Sequence, residues 1–205
     1  MPSQRSAPDI SSIAVVIPVK AFHQAKERLS DLLTPAERFV LAKYCADRVV
    51  EAARQFETYI VCDDADVAQW ARDHKVKVVW QPEVGLNAAV RAGVDFAKNH
   101  GKKLAIVSHS DLPLATGFDQ LLTDQTVETL MSSITLVPDR HEDGTNVMVL
   151  PTNIDFEFCY GKNSFSAHQE GAKKIGLSVR VIRDQSLAVD IDTADDLAVA
   201  RQLEN

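Results

Sequence analysis

Apolar residues gather along the chain into short β-branched runs separated by stretches of helical spacing. IAVVIPV (13–19), TYIVC (58–62), VKVVW (76–80), LAIVS (104–108) and ITLVP (134–138) read as strands. Between them the spacing predicts helices over 34–53, 64–74 and 87–100, the last stopped by Gly101. Thr34-Pro35-Ala36-Glu37 carries a capping-box signature with proline at the first helical position. Strand and helix alternating at this spacing predict βαβ units: an α/β fold with a three-layer, mostly parallel sheet and helices on both faces. After residue 140 the pattern changes. NVMVLP (146–151), IDFEFCYG (154–161) and SVRVIRD (178–184) are extended signals, with helices predicted over 163–175 and from Thr193. That third of the chain reads as a small antiparallel extension at one end of the sheet. Repeats, low-complexity tracts and domain-splitting linkers are absent, so one domain is expected over 13–205 behind a disordered tail at 1–12.

Composition narrows the function classes. In 205 residues, 29 acidic against 22 basic side chains give a net charge of −7, which disfavours a nucleic-acid partner held by its phosphate backbone. Cys45, Cys62 and Cys159 are widely spaced and form no CxxC, which fits a reducing, cytoplasmic compartment and neither a disulfide framework nor a zinc site. The opening MPSQRSAPDISS has no apolar signal core, and no later run reaches the ~18 apolar residues of a membrane span.

The first strand runs into Lys20, Lys26 and Arg28, although phosphate loops after a first strand are usually built from glycine. The first of the eight glycines is Gly85, so a Walker loop or GxGxxG turn at that place is excluded. A phosphate held near 19–30 would have to be held by side chains, and three cations including a guanidinium fork suit a triphosphate. The same three residues also read as a solvated basic loop. Asp111, in VSHSDLPLA, stands at the carboxyl end of a strand, where a nucleotide-bound cation collects or where an aspartate simply caps a turn. In AVDIDTADDL, Asp190 and Asp192 lie two apart on an extended segment and share a face, so a divalent cation is a natural third party. Thr193 and Asp196 then cap the last helix. In QPEVGLNAAVRAG, Gln81, the turn amides near Gly85 and Asn87 can read a base edge, or Asn87 can be a plain helix cap. EDGTNVMVLP and YGKNSFSAH each place glycine beside hydroxyl or amide groups, and the helix start at 161–164 suits an anion; Asn163 and Ser164 read equally as caps.

IPVK…AKERLS, QPEVGLNAA, SDLPL, EDGTNVM, YGKNSF..H and VDIDTADDL occur in one order across 13–200. In this the chain resembles the 2-phospho-L-lactate guanylyltransferase family of coenzyme F-420 biosynthesis, within the nucleotidyltransferases of GT-A-like, nucleotide-diphospho-sugar transferase fold. The resemblance implies transfer of a guanylyl group from GTP to the phosphate of a small acid, 2-phospho-L-lactate, phosphoenolpyruvate or 3-phospho-D-glycerate, with release of pyrophosphate. It implies Mg²⁺ on Asp111, Asp190 and Asp192, triphosphate on Lys20, Lys26 and Arg28, guanine at Gln81, Gly85, Leu86 and Asn87, and acceptor phosphate at Thr145, Gly161 and Ser164. A homodimer is left open. Ala21, His109-Ser110, Lys162-Asn163 and Ala194 depart from the family pattern, and Lys162-Asn163 lie where the acceptor identity is at stake.

Two other classes compete. Asp190-Ile191-Asp192 is formally the DxD of metal-dependent glycosyltransferases, but it lies near the carboxyl end with a lone Asp111 in mid-chain. A non-catalytic nucleotide-binding regulator would not need all three aspartates. His109 and Cys62 read as structural neighbours of the site, Trp70 and Trp80 as core or near-core residues, and Arg180 and Arg183 as surface charges.

Overall fold

The computed structural model describes residues 8–83 and 85–203. Its elements in chain order are β1 (Ile13–Pro18), α1 (Pro35–Ala52), β2 (Glu57–Cys62), α2 (Ala65–Asp73), β3 (Lys77–Trp80), α3 (Leu86–Asn99) and β4 (Leu104–Ser108). There follow α4 (Val127–Met131), β5 (Ser133–Pro138), β6 (Thr145–Pro151), α5 (Ser164–Lys174), β7 (Ser178–Val181), α6 (Gln185–Ala188) and α7 (Ala194–Leu203). Of the tail expected at 1–12, residues 1–7 lie outside the described residues, and Ile10–Ser12 form a 3-10 turn capped by the Asp9 side chain.

The seven strands form one sheet in the order β3-β2-β1-β4-β6-β5-β7. β1 pairs in parallel with β2 and β4, β2 with β3, and β5 with β7, whereas β6 is antiparallel to both of its neighbours. The expected antiparallel part is therefore one strand, and it lies inside the sheet. Along β1 the side chains alternate: Ile13, Val15 and Ile17 enter a core with α1 and α2, while Ala14 and Val16 enter a second core with α3 and α5. Both faces are covered, so the strand reads as a continuous apolar run. The capping box of α1 is present, with Thr34 and Glu37 reciprocally bonded and Pro35 first in the helix.

On the second face α3 lies very close to the sheet. A Cβ placed on Gly93 would stand 2.3 Å from Val16 Cγ1 and 2.7 Å from Val61 Cγ2, so only glycine fits there without moving the helix or the strands.

The extended signal at 154–161 corresponds to no strand. Phe156 and Phe158 alternate into the second core as the period-2 pattern requires, but no neighbouring strand pairs with them. Side chains take over the backbone's hydrogen bonds instead. Arg91 donates to the Phe156 carbonyl, the Cys159 amide donates to His168 Nε2 at 3.0 Å, and the Tyr160 amide donates to Asn87 Oδ1 at 2.7 Å. Trp70 packs in the first core, while Trp80 ends the edge strand β3 with more than half its surface exposed.

Candidate active site

Parallel pairing brings the carboxyl ends of β1, β2, β3 and β4 to one rim, and the reversed β6 brings its first residues, Thr145 and Asn146, to the same rim beside the end of β4. A cavity of about 660 Å³ opens there. Its wall includes Lys20 after β1, Cys62 at the end of β2, Gln81 after β3, Gly85 and Leu86 at the start of α3, and Asp111 after β4. A second cavity of about 310 Å³ runs on beneath the 20–28 loop and shares Val19, Lys20, Gln24, Ser110, Asp111 and Asp192 with the first.

Asp111, Asp190 and Asp192 meet between the two. Each offers an oxygen, and the three oxygens lie within 4.8 Å of one another. Val189 and Ile191 are buried in a small cluster with Leu29 and Cys45, which turns the two aspartates that alternate with them toward the site. Asp196 holds this segment: one carboxylate oxygen accepts from the amides of Asp192 (3.1 Å) and Thr193 (2.7 Å), and the other accepts from Arg140. It does more than cap the last helix. Asn146 Nδ2 donates to the Leu187 carbonyl (3.0 Å) and to Asp190 Oδ1 (3.3 Å), which ties β6 to the acidic cluster. Asn146 and Arg140 were not among the expected site residues; the only hint of Asn146 was its place in EDGTNVM.

The cluster's electrostatics are uneven. Burial opposes ionisation of Asp111, but the Lys26 ammonium beside it prevails and holds its carboxyl below the usual range. Asp190 lacks such a partner; burial first and the Asp111 charge second push it up to about 6. Among the described residues, Asp111 Oδ1 is buried without a hydrogen-bond partner. A buried carboxylate oxygen with no partner, beside two further carboxylates, has the hard all-oxygen chemistry that suits Mg²⁺.

The three cations differ in placement. Lys20 is exposed at the cavity wall. Arg28, also exposed, reaches Asp192 Oδ2 at 3.2 Å. Lys26 is drawn inside: its ammonium contacts Asp111 Oδ2 at 2.8 Å, the Ile191 carbonyl, and Asp192 Oδ1 at 3.7 Å, on a backbone of left-handed φ 59°. Gln81, Gly85 and Leu86 line the large cavity. Asn87 neither caps α3, where Gly85 is the capping position, nor lines the cavity; its amide is paired with the Tyr160 backbone.

Around Thr145, Gly161 and Ser164 the polar groups are bonded to one another. The Thr145 amide donates to Ser164 Oγ at 3.1 Å, and Thr145 Oγ1 lies 3.0 Å from His168 Nδ1. His168 Nε2 accepts from the Cys159 amide, so Nδ1 carries the proton and donates to Thr145. Burial, aided by the charge of His109, lowers the His168 pKa to about 4, which keeps the ring neutral. Ser164 is thus the first helical residue and a support for β6, and Asn163, at the capping position, makes no side-chain cap. Gly161 is exposed with φ +131°. His109 borders the site: it lines the large cavity, its Nδ1 is 3.9 Å from Asp111 Oδ1, and its ring is 5.4 Å from that of Tyr160.

Known proteins resemble this chain in sequence and in fold. The family model described as "Guanylyl transferase CofC like" matches residues 13–200. A phosphoenolpyruvate guanylyltransferase of Sphaerobacter thermophilus is 39% identical over 193 residues, covering 92% of this chain and 91% of that protein. A 2-phospho-L-lactate guanylyltransferase of Methanothermobacter thermautotrophicus is 32% identical over 186 residues, covering 89% and 81%. Among solved structures, a putative nucleotide-diphospho-sugar transferase from Desulfovibrio desulfuricans superposes with a TM-score of 0.76 at 16% identity, over 95% of this chain and 88% of that one. A 4-diphosphocytidyl-2C-methyl-D-erythritol synthase from Anaerococcus prevotii gives 0.60 at 13% identity, over 95% and 97%. The sheet is therefore that of the nucleotide-diphospho-sugar transferases, and by its sequence the chain belongs to the CofC-like guanylyl transferase family of nucleotidyltransferases.

Proposed function

We propose that the protein moves GMP from GTP to the phosphate of a small phosphorylated carboxylic acid, with phosphoenolpyruvate, 2-phospho-L-lactate and 3-phospho-D-glycerate as the candidate acceptors, in coenzyme F-420 biosynthesis. The observation that carries this reading is the meeting of Asp111, Asp190 and Asp192 between two cavities that share a wall with Lys20. An acceptor phosphate oxygen attacks the α-phosphorus of GTP, the bond to the β-phosphate bridging oxygen breaks, and pyrophosphate leaves. A phosphate at neutral pH is already deprotonated, so the protein's task is positioning and charge neutralisation rather than base catalysis.

Asp111, Asp190 and Asp192 would hold Mg²⁺, which when bound supplies positive charge at the α-phosphate. Lys20 and Arg28 neutralise the β- and γ-phosphates from the open side. Lys26 joins them by exchanging its carboxylate partners for phosphate oxygens. Gln81, Gly85 and Leu86 receive the guanine, and the corner at Thr145, Gly161 and Ser164 receives the acceptor phosphate. The relatives named for phosphoenolpyruvate and 2-phospho-L-lactate support this substrate class. Cys45, Cys62 and Cys159 form no disulfide among the described residues, which fits the cytoplasmic setting proposed for the enzyme.

The test is pyrophosphate release by purified protein with Mg²⁺ and GTP, each acceptor offered separately. Release with at least one acceptor, lost on chelation, is the expected result. Release only with CTP and a sugar phosphate would replace the reading.

A further inference from the structure

Helix α3 faces two ways at its first turn. Gly85, Leu86 and Ala89 form part of the cavity wall, but Asn87 and Arg91, one turn apart on the same helix side, reach the irregular segment 156–160 instead. Asn87 Oδ1 accepts from the Tyr160 amide at 2.7 Å and its Nδ2 donates weakly to the Tyr160 carbonyl at 3.5 Å. The Arg91 guanidinium donates to the Phe156 carbonyl and lies 4.8 Å from the centre of the Phe158 ring. Because the segment has no partner strand, these side chains and His168 do the work of a sheet ladder. Tyr160 immediately precedes Gly161, and its ring packs against both His109 beside Asp111 (5.4 Å) and His168 beneath Thr145 (4.8 Å).

We infer that Asn87 is a positioning residue for the acceptor: it fixes the Tyr160 peptide, and through it the Gly161 turn, rather than reading the nucleotide base. The inference rests on the guanylyl-transfer reading above and deepens it, because it makes α3 the part that sets the acceptor turn at a fixed distance from the nucleotide cavity. An Asp at this position keeps the acceptor for the Tyr160 amide and loses only the weaker donor. An Ala loses both.

The test compares Asn87→Ala and Asn87→Asp with the wild type. Steady-state kinetics with Mg-GTP should show the acceptor KM raised about tenfold by Asn87→Ala, the scale of one hydrogen bond lost at a positioned group, with the GTP KM moved less than about twofold. Asn87→Asp should restore most of the acceptor KM. Hydrogen exchange gives a readout independent of turnover: the amides of Tyr160 and Gly161 should exchange faster in Asn87→Ala and near the wild-type rate in Asn87→Asp. A raised GTP KM, or a changed preference between GTP and ATP, with the acceptor KM unmoved would overturn the inference in favour of base reading. Unchanged exchange at Tyr160 in Asn87→Ala would overturn it as well. If the wild type turns over none of the acceptors, the substrate reading fails, and the exchange experiment alone still decides whether Asn87 holds the turn.

Discussion

On the side of the cavity proposed for the nucleotide, Lys20 and Arg28 stand exposed, and Lys26 is held by the Asp111 and Asp192 carboxylates and the Ile191 carbonyl. On the acceptor side, Thr145, Ser164 and His168 are buried and bonded to one another, and the adjoining backbone hangs on side chains from α3 and α5. The first side presents three cations, two of them reaching across to the aspartates; the second is a buried network of neutral polar groups. Under the proposed function, the contrast fits a site that accommodates a large polyanion on one side and distinguishes small acids on the other. Long cations adapt to a phosphate chain, whereas discrimination among small acids needs a turn that cannot drift.

The largest effect expected from breaking this arrangement is at the boundary. Asp192→Asn should lower turnover by about 10²- to 10³-fold while leaving the fold intact, because Asp192 is half-exposed and its backbone is held by Asp196. Unchanged pyrophosphate release would remove Asp192 from the chemistry.

Next comes the stability of the acceptor side alone. The folded-state pKa of His168, about 4, lies below the ordinary 6.5, so as pH falls below 6.5 the unfolded chain takes up a proton that the native ring refuses. The stability contributed by His168 is therefore fully present above 6.5 and falls as pH drops toward 4, by about 2 kcal/mol between pH 7 and 5, against an opposite trend from Asp190, whose raised folded-state pKa favours the native state as pH falls through 6. Urea unfolding of the wild type and His168→Gln at the two pH values checks this: between pH 7 and 5 the wild type should lose about 2 kcal/mol relative to the variant, and an equal change in both proteins would assign the acid sensitivity elsewhere.

The smallest effect sharpens the other side. Lys20→Ala should raise the GTP KM about tenfold, a loss that added salt partly reproduces in the wild type, and should leave the unfolding midpoint within about 0.5 kcal/mol of equivalence. A shift confined to the acceptor KM would move Lys20 across the cavity.

The same contrast explains what could be read from the chain. β1 to β4, with their carboxyl-end residues Lys20, Gln81 and Asp111, were visible because apolar runs and rim charges act where they stand. The pairing of Asp190 with Asp192 was visible for the same reason, since alternation alone sets which way they face. The irregular course of 154–160 was hidden, because Ile154, Phe156 and Phe158 alternate as a strand does and only the absence of a partner distinguishes them. Asn87 was hidden because its amide chooses a backbone 73 residues away. Lys26 was assigned to phosphate from its charge and from the family resemblance, and nothing local indicated that its ammonium would be drawn in toward Asp111 and the Ile191 carbonyl.

Gly93 gives the acceptor side a practical limit for anyone who would redesign it. The exposed Lys162 can be varied in a library aimed at new acids, whereas Asn163, left-handed at φ 58° with its amide on Asp143 Oδ1, tolerates few replacements. Any side chain at 93 would lift α3 from Val16 and Val61 and carry the cavity wall and the Tyr160 tether with it. Diversity placed there would be spent on inactive clones, and a search for altered acceptor choice is best confined to the loop, with the helix left as a fixed ruler.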